Sequence, residues 1–171
     1  MKFRCDGLEL SEAISVVSKA ISSKTTSQIL EGIKMVCAED KLILSATDLE
    51  MSVEKTIRAE VYTAGETVVP GRLFGEYIKK LTNEQIECEL NEKNQLRIAY
   101  TDSEGTLQCM EISEFPQIKE VAKDDFFELS KEDFKALINN VYYAVAVDDS
   151  RPILKGVLFD INKKEILILM N

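Results

Sequence analysis

The residue types that carry out most enzyme chemistry are either absent from this sequence or widely spaced. Histidine is missing from all 171 residues, which removes the commonest general base and the Ser/His and Cys/His nucleophile arrangements. The four cysteines form no Cys-x-x-Cys motif and stand at Cys5, Cys37, Cys88 and Cys109. A zinc site would have to be built entirely from these separated thiolates. The sequence therefore predicts no metal, no cofactor and none of the familiar hydrolases.

Two further groups of side chains have both a chemical and a structural interpretation. Asp48 and Glu50 follow Thr47 at the end of a predicted strand, where a carboxylate pair could serve as general acid and base but more commonly accepts turn hydrogen bonds. Tyr142 and Tyr143 could stack on nucleic-acid bases, although the end of an amphipathic helix favours core packing. We interpret the carboxylates as turn residues, and the tyrosines and cysteines as core residues.

The charge of the chain is acidic overall but is unevenly placed. The formal net charge is −9, from 21 basic and 30 acidic side chains, which on average repels polyanions. A phosphate backbone instead responds to basic residues that share one surface. Two predicted helices place such residues opposite their apolar faces: Arg72, Lys79 and Lys80, with Glu76, on one, and Lys131 and Lys135 on the other. The alternative is that these are ordinary solvated helix faces.

Composition predicts a folded chain without a membrane segment. Hydrophobic residues make up 45% and charged residues 30%, and no apolar run approaches the roughly 20 residues of a membrane span. The N-terminus lacks the apolar core of a signal peptide. We therefore expect a cytoplasmic protein.

The elements that must position the charged residues follow from hydrophobic periodicity. Helices are predicted over 8–21 and 71–81, where apolar residues recur at helical spacing. Alternating apolar residues predict strands over 2–6, 29–38, 42–44, 51–57, 86–90, 96–100 and 107–112. Two short helices with seven or eight strands predict an α+β domain in which the helices pack on two antiparallel sheets.

A polar segment near residue 121 predicts a domain boundary, dividing the chain into 1–121 and 122–171. A new strand is expected at Phe127, followed by a helix over 131–146 that Ser130 caps. A hairpin is expected over 153–169.

An internal repeat connects the two predicted domains. Sliding the chain by 124 residues places Phe127 on Phe3 and Gly156 on Gly32 without a gap, with seven identities and matching core positions. Chance patterning of two unrelated segments is the alternative at this point. The second copy stops at Asn171, superposed on Thr47, and we expect the chain to be a fragment of a longer repeat protein.

With this repeat, the sequence resembles the bacterial DNA polymerase III beta subunit family, the sliding clamps. The resemblance covers essentially the whole chain and rests on motifs in order: Met1-Lys2-Phe3, Ile29-Leu30-Glu31-Gly32, Ala46-Thr47-Asp48-Leu49-Glu50-Met51, Val69-Pro70-Gly71-Arg72-Leu73-Phe74, Glu114-Phe115-Pro116 and Ser150-Arg151-Pro152-Ile153-Leu154-Lys155-Gly156. It implies three copies of one α+β domain per chain. Two chains would close head to tail into a ring around duplex DNA, with helices lining the hole.

The resemblance also implies roles for individual residues. Lys24 and Arg151 match loop positions that touch DNA in the family, which extends the predicted DNA-binding set to Lys24, Arg72, Lys79, Lys80, Lys131, Lys135 and Arg151. The homodimer interface would lie near Leu73 and Leu107. Pro152, Ile153 and Leu154 match positions near the pocket that binds polymerase and clamp-loader tails, which is only partly present here.

The leading hypothesis is a clamp without catalytic residues that binds duplex DNA independently of sequence and makes a replicative polymerase processive. A second hypothesis is an α+β repeat protein that binds other proteins through exposed strand edges and never encircles DNA. An enzyme using Asp/Glu pairs is the third, and no spacing in the sequence calls for it.

Overall fold

The chain divides into two units, Met1–Lys119 and Glu120–Asn171. The structure, a computed structural model, describes residues 1–21, 25–118, 127–146, 152–161 and 166–170. The boundary predicted near 121 lies outside the described residues and stays a prediction. The two units are taken in turn.

Nine strands in the described part of the first unit form two antiparallel sheets. They are β1 (Lys2–Asp6), β2 (Gly32–Ala38), β3 (Lys41–Thr47), β4 (Ser52–Arg58), β5 (Glu60–Thr63), β6 (Gly65–Pro70), β7 (Gln85–Leu90), β8 (Gln95–Tyr100) and β9 (Ser103–Gln108). The five-stranded sheet has the order β5-β1-β7-β8-β9, and the four-stranded sheet has the order β4-β3-β2-β6.

Two helices pack side by side on these sheets. Helix α1 (Gly7–Val17) begins at Asp6, whose Oδ1 accepts hydrogen bonds from the Leu8 and Glu9 amides, and continues into a 3₁₀ turn over Ser18–Ala20. Helix α2 (Gly71–Ile78) follows β6 directly. No helix in the described part of the chain is long and apolar enough to cross a membrane.

Both helices and both sheets share one core. Leu10 of α1, Phe74 of α2, Phe3 and Ile98 of the five-stranded sheet and Met35 of the four-stranded sheet are nearly or fully buried in it. Each large apolar side chain buried in this way contributes about 1.5–3 kcal/mol. A smaller cluster joins Ile29, Leu30 and Val68. The predicted fold class, two helices packed on two antiparallel sheets, is confirmed.

Several predicted boundaries were wrong. The strand predicted from 29 begins at Gly32, because Gln28–Glu31 form a 3₁₀ turn that buries Ile29 and Leu30 in the smaller cluster. Helix α2 ends at Ile78 rather than Leu81. Strands β5 and β6 were not assigned from the sequence, since β5 has only four residues and β6 ends in Pro70.

The last strand of the first unit was predicted over 107–112, but β9 spans Ser103–Gln108. The turn before it uses only Thr101 and Asp102, with Thr101 at a φ of 35°. Gly105, which looked like a turn residue, instead leaves room for Tyr77, since a Cβ there would lie 2.2 Å from the Tyr77 hydroxyl. A glycine inside a strand often marks such a close approach.

The second unit repeats the local structures of the first at the predicted offset of 124. Helix α3 (Lys131–Tyr142) starts 124 residues after α1, and a 3₁₀ turn at Pro152–Lys155 matches Gln28–Glu31. The hairpin of β10 (Val157–Ile161) and β11 (Ile166–Met170) pairs Phe159 with Ile168, as the first hairpin pairs Met35 with Leu44.

The second unit differs from the first in two respects. Residues 127–130 form no strand, because the described residues of this unit contain no counterparts of β5 and β7, the strands that flank β1. Helix α3 ends at Tyr142 rather than Ala146 and contains no buried residue. Its main ring contact is the stacking of Phe134 on Phe159, with ring centroids 6.1 Å apart.

Replacement of Gly7 by alanine is expected to destabilise the first unit. A Cβ at this position would lie 2.2 Å from the Leu81 carbonyl oxygen and 2.9 Å from that of Glu84, so the backbone must move. We expect the free energy of unfolding in urea to fall by about 1–3 kcal/mol. Gly156→Ala is the control, because its nearest neighbour would be 3.5 Å away. Equal unfolding midpoints for the two variants would contradict the packing described.

The two hairpins provide an internally matched comparison for amide hydrogen exchange. Their registers are the same, but the first hairpin lies under a core and α3 buries none of its residues over the second. We expect β10–β11 amides to exchange at least about tenfold faster than the equivalent β2–β3 amides, since protection follows local stability. Equal protection would mean that the second unit is as stable as the first.

Candidate nucleic-acid interface

The exposed face of α2 carries most of the basic residues predicted for the first unit. Arg72, Lys79 and Lys80 are exposed, whereas Phe74 and Ile78 point into the core. Glu76 lies between them, and its Oε1 accepts a hydrogen bond of 3.1 Å from Arg72 Nε. Both members of this pair are exposed, with 92% of the Arg72 side chain and 62% of the Glu76 side chain accessible.

The lysines of α2 differ from Arg72 in having no ion partner. Neither Lys79 nor Lys80 lies within 4 Å of a carboxylate among the described residues. An exposed cation without a partner pays little to approach a phosphate, because no ion pair has to be broken first. These two ammonium groups are therefore the most available charges on α2.

Helix α1 contributes a different surface. Its eleven residues include Glu9 and Glu12 and no basic residue, and Lys19 lies in the 3₁₀ turn that follows. The basic surface of the first unit's helices is thus concentrated on α2.

Helix α3 presents the basic residues predicted for the second unit. Lys131 and Lys135 are exposed and are spaced by one helical turn. The predicted cap is confirmed, because Ser130 Oγ accepts a hydrogen bond of 3.0 Å from the Asp133 amide. As on α2, these lysines form no ion pair within the part of the chain that is described.

The two loop cations predicted from the resemblance cannot be placed. Lys24 and Arg151 both lie outside the described residues. Their assignment to DNA contact stays a prediction.

The solvent face of the five-stranded sheet carries charges that are paired with each other. Lys2 lies 3.1 Å from Glu87 and 3.3 Å from Glu89, and Arg97 lies 2.5 Å from Glu104. These pairs raise the pKa of Lys2 and of Arg97. Sequence reasoning missed this ladder, although charges at every second position of β7 and β8 indicated a solvated sheet face.

The side chains with possible catalytic chemistry are structural. All four cysteines are buried and free, and burial raises the pKa of Cys5 to about 12 and that of Cys88 well above its usual range. Deprotonation, which thiol reactivity needs, is therefore suppressed. No cluster of three or more metal-binding side chains occurs among the described residues.

The predicted turn role of Asp48 is confirmed. Its Oδ1 accepts hydrogen bonds from the Glu50 and Met51 amides, at 3.0 and 2.7 Å, and the Met51 amide lowers the pKa of Asp48. Thr47 Oγ1 accepts from the Leu49 amide and donates to the Met51 carbonyl. These bonds hold Leu49 at a φ of 77°, a conformation that is costly for a branched side chain.

The residues predicted for the dimer interface differ in exposure. Leu73 is 55% exposed, whereas Leu107 is buried in the core. Leu73 lines a groove of about 1120 Å³ together with Arg72, Glu76 and Met110. Leu73 is thus the member of the predicted pair that is available for contact.

The residues predicted for the peptide pocket lie in the 3₁₀ turn at Pro152–Lys155. Ile153 is 68% exposed and Leu154 is half-buried. Core packing of the two tyrosines was wrong, since Tyr142 is 67% and Tyr143 84% exposed. They follow the last turn of a helix that buries none of its residues, so no described core reaches them.

Comparison with known proteins gives consistent matches. A family profile described as the DNA polymerase III beta subunit, N-terminal domain, matches residues 1–119. The beta sliding clamps of Staphylococcus epidermidis and Staphylococcus aureus are 36% and 35% identical over 157 residues, covering 87% of this chain and 42% of theirs. The crystal structure of the DNA polymerase sliding clamp from Bacillus subtilis superposes with a TM-score of 0.92 at 29% identity, covering 98% of this chain and 46% of that one. The chain therefore spans less than half the length of these relatives.

Loss of the Asp48 carboxylate is expected to destabilise the protein in a pH-dependent way. Because the pKa of Asp48 is lowered in the folded state, its stabilisation is present above the ordinary carboxylate pKa of about 3.9 and is lost as pH falls through the lower folded value. Asp48→Ala should therefore reduce the free energy of unfolding at pH 7, and the difference from the original protein should shrink below about pH 4.

Glu50→Ala is the matched control, because the Glu50 side chain forms no hydrogen bond or ion pair in the described part of the chain. Urea unfolding between pH 2.5 and 7, at about half-unit steps, measures the effect. A destabilisation by Asp48→Ala that does not change with pH would show that the carboxylate charge is unimportant to the turn.

Proposed function

Because the chain belongs to the DNA polymerase III beta subunit family, we propose that it forms part of a DNA sliding clamp. In this role it has no catalytic site and acts by holding a DNA polymerase on duplex DNA. The observation that carries the proposal is the partition of charge in the first unit. The lysines of α2 have no ion partner among the described residues, whereas the charged residues at the centre of the five-stranded sheet are paired with each other.

This partition suits contact with a phosphate backbone. Cations on helices reach phosphates without reading bases, and such contacts are independent of sequence and sensitive to salt. Weak contacts of this kind let a protein slide along DNA. The residues proposed to meet DNA are those predicted from the sequence: Lys24, Arg72, Lys79, Lys80, Lys131, Lys135 and Arg151.

The remaining partners are proposed for the longer protein. A homodimeric ring would use the exposed Leu73, with Leu107 supporting the surface from the core. Polymerase and clamp-loader subunits would dock near Ile153 and Leu154, in a pocket completed by segments beyond this chain. The length of the relatives, of which this chain spans 42–46%, supports a larger assembly.

The DNA contact can be tested on this chain with a double variant, Lys79→Ala/Lys80→Ala. Binding to a short duplex of random sequence would be measured by fluorescence anisotropy over a salt series. Removing one phosphate contact lowers the slope of log K against log salt by about 0.9, so the slope should fall by about 1.8 for the two lysines. The affinity at low salt should fall as well.

The control removes two cations from the sheet face, in Lys2→Ala/Arg97→Ala. Both double variants lose the same formal charge, so a general effect of net charge would appear in both. Equal loss of affinity and slope in the two would contradict a contact made by α2. NMR amide shifts confined to the helices on addition of the duplex would agree with the proposal.

A further inference from the structure

The exposed face of α2 contains a single acidic residue at its centre. From Gly71 to Lys80 the sequence has three basic residues and only Glu76 as an acid. Glu76 follows Arg72 by four residues and precedes Lys79 and Lys80 by three and four. Residues at these spacings are neighbours on a helix surface, so Glu76 lies within reach of all three cations.

Of the three cations, Glu76 contacts Arg72. Arg72 Nε donates to Glu76 Oε1 at 3.1 Å, while Lys79 and Lys80 have no ion partner among the described residues. The carboxylate therefore occupies the guanidinium that would otherwise present the strongest phosphate donor of the helix, since a guanidinium can bind a phosphate with two parallel hydrogen bonds.

We propose that Glu76 limits the strength of the phosphate contact made by α2, acting through Arg72. This inference rests on the proposed function, and it makes Glu76 a positioning residue. When DNA approaches, Arg72 exchanges the Glu76 carboxylate for a phosphate oxygen. The contact then gains only the difference between two similar ion pairs, which keeps binding weak and readily reversed.

The exposure of the pair allows this exchange. Both side chains are largely accessible, and an exposed ion pair of this kind holds its partners weakly. Glu76 is therefore a counter-charge that a phosphate can displace.

The chain contains a matched pair on another surface. Arg97 and Glu104 form the same type of ion pair on the five-stranded sheet. Neutralising the acid of this pair changes the charge in the same way as at α2, but on a face that carries no proposed DNA contact. Glu104→Gln is therefore the control for Glu76→Gln.

The test compares Glu76→Gln, Arg72→Ala and the double variant in the whole 171-residue chain. Binding to a short random-sequence duplex is followed by fluorescence anisotropy over a salt series. We expect Glu76→Gln to bind about three- to tenfold more tightly at low salt, with a slope steeper by about 0.9, because one more phosphate contact forms without competition. Glu104→Gln should leave both quantities unchanged.

The Arg72→Ala background decides whether Glu76 acts through Arg72. We expect Glu76→Gln to have no effect there, because the guanidinium is gone. An equal gain in that background would show that Glu76 merely repels phosphate, and would overturn the proposal. No gain in either background would overturn it as well, provided that urea unfolding shows the variants to be folded.

The proposed function fails under a different result. If Lys79→Ala/Lys80→Ala leaves DNA binding unchanged, α2 does not contact DNA and the proposed interface is wrong. If that variant weakens binding while Glu76→Gln changes nothing, the interface stands and only the role of Glu76 is overturned.

Discussion

The packing of two helices and two sheets on one core determines where each charged residue of the first unit can point. Phe74 and Ile78 fix one side of α2 in the core, so Arg72 and Lys79 must lie on the other side. The helices can approach closely because Gly75 lies against Ile14, where an added Cβ would be 3.2 Å away. The same core fixes the alternation of the strands, so that Arg97 faces solvent beside the buried Leu96 and Ile98.

The two surfaces created by this core have different electrostatic properties. On the sheet, Lys2 and Arg97 lie beside carboxylates of neighbouring strands, and the resulting pairs neutralise one another. On α2, two of three cations have no partner among the described residues, and the third has an exposed one. A chain with a net charge of −9 can therefore present a local surface that tolerates phosphates, because local placement outweighs the average at distances within a Debye length, about 10 Å.

The sequence predicted the fold where its signals had one period and failed where a tertiary contact decided the structure. Helical spacing identified α1, α2 and α3, and the offset of 124 predicted both the start of α3 and the register of its hairpin. Gly105 was misassigned because its small size serves the approach of Tyr77 from a distant helix. The strand predicted at Ile29 was wrong because that residue packs in a 3₁₀ turn beside Val68.

The candidate site was only partly predictable for a related reason. Helix periodicity placed Lys79, Lys80, Lys131 and Lys135 on exposed faces, and the structure agrees. Which cations have ion partners depends on contacts between strands far apart in sequence, such as Lys2 with Glu87. The exposure of Tyr143 depends on how little of a core surrounds α3, which its own amphipathic pattern does not reveal.

The central claim, that this chain is part of a clamp holding DNA by its ring topology, is tested most directly by retention on circular DNA. The full-length parent protein would be loaded on nicked circular duplex, and the bound fraction measured by gel filtration before and after the circle is cut. The account predicts that the protein stays on the circle and is lost when the DNA becomes linear, because a ring slides off free ends. Equal retention on circular and linear DNA would contradict it.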